Sequence, residues 1–254
     1  MATLATASTA RTPEHRFFLF SAIAMATVDI AGFSLNFFAG RSSLSLPIIY
    51  HLHGAVFLSW IILYVAQNVL IYGGAVRGHR QLGWLALALL PLMTVLGIGI
   101  TILSARHHGG PPILDLNSFL IGNPVGILYF VSVSSVAIVL RRRTDWHRRL
   151  MFCGMAAITG PGFGRLLPMP FLIPWGWWAA ALIAPSIFPV IAMVAERRRT
   201  GRIHPAWRWG WGAFVACFLL AEAFAFSPWG IALTQAVVAG TPGAARPMAA
   251  FFPG

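Results

Sequence analysis

An all-α bundle of about seven transmembrane spans is the fold class that this sequence predicts, on three observations. The 254 residues are 58% hydrophobic and 9% charged, with a mean hydropathy of +0.76, too apolar for a water-soluble domain. Seven apolar stretches reach about 20 residues, enough to cross a hydrocarbon core of about 30 Å as helices. Arginines cluster in alternate loops, the asymmetry expected when those loops stay on the cytoplasmic side.

Taken in order, the spans are predicted at 17–38, 46–72, 84–104, 119–140, 148–167, 175–194 and 209–238. Residues 1–16 read as a cytoplasmic tail with Arg11 and Arg16, lacking a cleavage site after a short apolar core, so the first span is read as retained. The second and seventh spans are overlong and either tilt or end early. The third follows a turn with Arg77 and Arg80, and the fourth ends at Arg141, Arg142 and Arg143. The fifth is interrupted by Gly160, Pro161, Gly162 and Gly164, where proline removes a backbone donor and glycine loosens the helix. Gly160 and Gly164 also form a small-xxx-small pair suited to close helix packing. The sixth runs out before Arg197, Arg198 and Arg199, and the loop beyond adds Arg202 and Arg208. The opposite loops hold only Arg41, Arg106 and Arg165. The topology is therefore N-in and C-out, with 17–238 as the bundle and 239–254 as an extracytoplasmic tail, in a bacterial inner (cytoplasmic) membrane.

Charge excludes several functions. Basic residues number 18 against 6 acidic, a net +12, and every basic residue is arginine. Arginines at membrane surfaces account for that charge through the lipid bilayer, so nucleic acid is not expected as a partner. Without a lysine amine there is no Schiff base, which rules out retinal. Cys153 and Cys217 sit in apolar runs as buried thiols, with no disulfide or zinc-ribbon pattern.

Four segments place histidine before arginine at an inward helix start: EHRFFLF at His15, GHRQLGW at His79, WHRRLMF at His147 and IHPAWRW at His204. As a set they read first as anchors, because arginine and histidine reach headgroups at any such end. Arg80, Arg148 and Arg149 take that role, while His79 and His147, in the two closest copies, are the candidates for more.

Inside the spans, ionisable groups cost on the order of 3 kcal/mol in hydrocarbon and must face a partner, water or the bundle interior. Asp29 and Glu222 lie about 18 and 20 Å beyond the inward starts of their spans, and His53 about 10 Å in from the other side. That common depth predicts one layer, read either as a metal set (Asp29, His53, Glu222) or as a proton relay extended by Tyr64, Gln67 and Arg165. Trp60, Tyr64 and Gln67 follow His53 at steps of seven, four and three, one inward-facing side of the second span. His51 lies about 200° away from that side. His107 and His108 end the third span and read as loop residues or ligands.

The block HLHGAVFLSWIILYVAQNVLIYGGAVRGHRQLGW with the later RRRTDWHRRLMF resembles a group of uncharacterised bacterial multi-pass membrane proteins, over Tyr50–Trp84 and Arg141–Arg165. The resemblance implies that His53, His79 and His147 matter, and implies no reaction. A fainter similarity is to membrane b-type cytochromes, which hold haem between histidines on neighbouring helices. It implies His79 with His147 on one side, and His53 with His107 or His108 on the other, as axial pairs. The sequence departs from that family in placing His79 and His147 at helix ends, and it has no covalent attachment motif. The seven-span zinc hydrolases resemble the chain in span number only, for the last span has no histidine.

Three functions are expected candidates. The first is a membrane redox component binding haem b or a metal ion, exchanging electrons with quinone or another membrane redox partner. The second is a proton-coupled small-molecule transporter using the Asp29, His53 and Glu222 relay. The third is a noncatalytic membrane subunit. No soluble catalytic motif is present, and whether the chain is an enzyme stays open.

Overall fold

The computed structural model describes residues 12–252; Arg11 and the rest of 1–11, together with 253–254, lie outside the described residues. Within 12–252 the secondary structure is entirely helical. The elements are α1 (Pro13–Phe38), α2 (Ile48–Tyr72), α3 (Val76–Leu82), α4 (Leu85–His108), α5 (Leu116–Val139), α6 (Thr144–Ala157) and α7 (Gly160–Leu166). They continue with α8 (Gly176–Trp178), a π-helical turn (Ala179–Ile183), α9 (Ala184–Thr200), α10 (Pro205–Ala225) and α11 (Pro228–Val238).

Five helical stretches are long and apolar enough to cross a membrane: α1, α2, α3 with α4, α5, and Gly176–Thr200. The pair α10 and α11 makes a sixth if its 75° bend is one span. The fifth apolar stretch is two helices, α6 of 14 residues and α7 of 7, parted at Ile158 and Thr159. Pro161 sets that break: without an N–H it cannot bond back into α6, and it sits comfortably in the first turn of a new helix.

The surface shows what surrounds these helices. Phe20 is 60% exposed, Val95 70%, Val139 73% and Leu220 70%. Asp29, Arg149, Glu196 and Glu222 are all buried. Large apolar side chains facing out, with charges inside, is an arrangement stable in lipid and aggregation-prone in water.

The interior is aromatic. Trp60 meets Phe130 edge-on at 4.9 Å between ring centres, and Phe152 meets Trp207 in the same way at 5.1 Å. α5 packs against α4, α6 and α10, while α1 packs against α2 and α7. The α1–α7 contact depends on glycine. A Cβ on Gly32 would run into the Gly162 carbonyl, and one on Gly162 would lie 2.6 Å from Asp29 Oδ1 and 2.9 Å from Asp29 Cα. Gly160 and Gly164 face Ala180 on the π turn, the packing role predicted for that pair. We expect Gly162→Val to push α1 off α7 and cost about 1–3 kcal/mol through overpacking. Gly164→Ala, whose Cβ would meet Ala180 Cβ at 3.7 Å, should be near neutral. Thermal melts of both variants in one detergent check this; equal midpoints would refute it.

The far end of the chain is a strap. The Arg246 guanidinium donates to the carbonyls of Gly109, Pro112 (3.0 Å) and Leu114 (2.5 Å), and Leu116 N–H donates to Met248 O at 2.8 Å. Burial draws the Arg246 guanidinium below its ordinary pKa, and Asp115 opposes that shift. Residues 239–252 are thereby tied over the α4–α5 loop.

Candidate functional site

The first site lies where α3 meets α6. The His79 and His147 rings stand 6.2 Å apart between centres, with planes at 81°. His147 Nδ1 is 2.8 Å from Ala137 O. A carbonyl only accepts, so Nδ1 carries the proton and the lone pair of a neutral ring is on Nε2. His79 lies against the Gln67 backbone, and its buried Nδ1 has no partner. Each ring keeps a nitrogen for another ligand. Two imidazoles facing each other in line across one metal, with N–metal bonds of about 2 Å each, would have ring centres about 6 Å apart, close to the 6.2 Å observed.

Other predicted residues are divided between two places. Asp29 is buried on α1, and Arg165 of α7 is the charged neighbour of both Asp29 and His53. The Arg165 guanidinium lies over the Phe33 ring at 4.0 Å and donates to Pro161 O at 2.8 Å. His53 stacks on Phe57 at 4.3 Å. Glu222 has different company: it accepts from Ser118 Oγ at 3.0 Å, with Trp177, Trp178 and Asp115 nearby. The structure thus brings Asp29 and His53 to Arg165 and leaves Glu222 on the α5–α10 side. Among the described residues, no three His, Cys, Asp or Glu side chains gather as a metal cage. Burial of Asp29 and Glu222 was legible in the sequence; direction around the bundle was not.

Along the second span, Trp60 and Tyr64 are buried, His53 and Gln67 half-buried. His51 turns away, its Nε2 at 3.1 Å from Leu46 O and 3.2 Å from Leu44 O. His107 and His108 are exposed at the end of α4, 6.0 Å apart.

Sequence reading missed a network at the basic end. Glu14 Oε1 lies 2.9 Å from Arg148, 3.0 Å from Arg199 and 3.5 Å from Arg149. Arg149 also pairs with Glu196 and donates to Asp145 O at 2.7 Å. Glu196 accepts the His204 backbone N–H at 3.1 Å. His204 Nδ1 accepts Ala206 N–H at 3.1 Å, which places the proton of the neutral ring on Nε2, 3.0 Å from Asp145 Oδ2. The anchor role expected for Arg149 is therefore corrected: it is 4% exposed and held by carboxylates inside the helix cluster. The signal was present, since three of only six acids stand beside these basic headers: Glu14, Asp145 and Glu196.

Next to this network a cavity of about 210 Å³ opens between the start of α1, α6, the end of α9 and the start of α10. Compared with known protein families, curated proteins and solved structures, the chain matches none of them.

Proposed function

We propose that this protein is an integral membrane redox component in which His79 and His147 supply the two protein nitrogens to haem b or a single metal ion. The observation that carries the reading is the His79–His147 spacing of 6.2 Å, with His147 held by Ala137 O. A hydrogen bond from the distal nitrogen to a carbonyl is how a ligating histidine is usually oriented and made more basic. Bound iron would supply one-electron chemistry there. This chain's part is to hold two half-buried neutral imidazoles, one in the last turn of α3 and one near the start of α6. The decisive experiment is the absorption spectrum of protein purified from haem-supplemented cells: a Soret band is expected, and abundant protein with neither that band nor a bound metal would overturn the reading.

A second reading is a proton-coupled transporter. Its support is the buried Asp29 beside Arg165 at the broken α6–α7 segment, because interrupted helices with ionisable groups mark paths through membranes.

Both readings take α6 with α7, and α10 with α11, as crossings. That makes seven spans in a bacterial inner membrane, with the N-terminus inside. A reporter fused after Phe252 should then be active only outside the cytoplasm; cytoplasmic activity would sink the count or the orientation.

A further inference from the structure

We propose that the groove between the end of α9 and the start of α10 holds the phosphate of an anionic phospholipid, with an acyl chain lying along α9. The groove, of about 320 Å³, is lined by Arg197, Gly201, Arg202, Ile203 and Arg208. Gly201 turns the chain there: its φ of 76° lies in the left-handed region that favours glycine, and its N–H donates to Arg197 O at 2.8 Å. Arg202 follows directly on that turn, and Arg208 enters the groove from the first turn of α10, which begins at Pro205.

Three guanidiniums thus share one groove whose lining holds no acid. The carboxylates at this end are committed elsewhere. Glu196, one residue before Arg197, is 7% exposed and pairs with Arg149; Glu14 pairs with Arg148, Arg149 and Arg199, and Asp145 with His204. Among the described residues no ion pair includes Arg197, Arg202 or Arg208, and all three are exposed. Cations sharing one groove repel one another. A phosphate relieves that repulsion, and its oxygens match the planar fork of a guanidinium.

The flanking surface points to a lipid as the source of the phosphate. Ile187, Val190, Ile191 and Val194 are between 43% and 53% exposed. At steps of three, one and three they form one stripe of α9, and Arg197 continues it three residues after Val194. From Ile187 to Arg197 the helix rises about 15 Å, half of a hydrocarbon core of about 30 Å and so the depth of one leaflet. Trp209, 71% exposed and next to Arg208 in sequence, is the residue type that marks the boundary between headgroups and hydrocarbon. A free phosphate would use the arginines and leave the stripe without a role. The site rests on neither the redox nor the transport reading.

The test uses the full chain in a neutral detergent at about 0.15 M salt, where charges more than about 8 Å apart are largely screened. Native mass spectrometry counts the phospholipids retained per chain. Titration with phosphatidylglycerol is expected to saturate at one tightly held lipid, which phosphatidylcholine with the same acyl chains does not match. Arg202→Gln combined with Arg208→Gln should weaken that binding about thirtyfold, and Arg208→Gln alone about fivefold. Melting midpoints establish that each variant is folded, and if the double variant is not, Arg208→Gln decides. Arg141→Gln combined with Arg142→Gln removes the same charge from the exposed α5–α6 turn, outside the groove, and should change binding by less than about twofold. Equal loss in the two double variants would show only the general attraction of a basic surface and overturn the proposal. Equal retention of phosphatidylcholine would overturn it too, as would displacement of the lipid by excess inorganic phosphate, which would assign the arginines to a free anion.

Discussion

Replacing either His79 or His147 with alanine is expected to strip most of the haem from the purified protein, because under the proposed reading each variant would remove one of the two nitrogens that hold it. A single remaining imidazole would hold haem b more weakly, so the haem retained through purification should fall severalfold in each variant. His147 is also fixed by its bond to Ala137 O, so its ring has one orientation available for ligation. Arg80→Gln is the proper control: Arg80 adjoins His79 but is exposed, and its loss should leave the spectrum intact. Arg149 cannot serve that purpose, because it is buried among carboxylates and its loss tests folding. Pyridine-haemochrome spectra, normalised to protein, are the measurement. Folded His79→Ala and His147→Ala proteins with a full spectrum would remove both residues from the site.

The second large effect is on stability. Arg149→Ala should cost about 3–5 kcal/mol, the range for removing one partner of a buried ion pair. It strands Glu196, whose side chain is only 8% exposed, and takes a guanidinium from Glu14. Arg148→Ala removes a partner whose side chain is 32% exposed, and Glu14 keeps Arg199, so the loss should stay within about 1 kcal/mol. Replacing Arg149 and Glu196 together with methionine should recover much of the single-variant loss, because no unpaired charge remains. Thermal midpoints in one detergent rank the three proteins. Equal midpoints for Arg149→Ala and Arg148→Ala would show that the buried pair contributes no more than the exposed one.

These two outcomes also divide the roles of the repeated headers. His79 and His147 come together through α3 and α6, whereas His204 joins Asp145 and Glu196, and His15 is an early residue of α1. One short pattern thus serves different ends, depending on which helix it faces.

What the sequence by itself determined is what repeats along one helix. Apolar length set where helices lie, Pro161 with its glycines set the break between α6 and α7, and a step pattern of seven, four and three set the inward side that buries Trp60 and Tyr64. An ionisable group in an apolar span must turn inward, so the buried placement of Asp29 and Glu222 was legible. Only the tertiary structure decided the azimuth of each helix and its neighbours. That choice carried Asp29 and His53 to Arg165, gave Glu222 to Ser118, and turned Arg149 inward onto Glu196. The physical reason is that rise and period are properties of one helix, while the partner of a side chain depends on packing between helices far apart in sequence, where close approach at Gly32 and Gly162 fixes which faces meet.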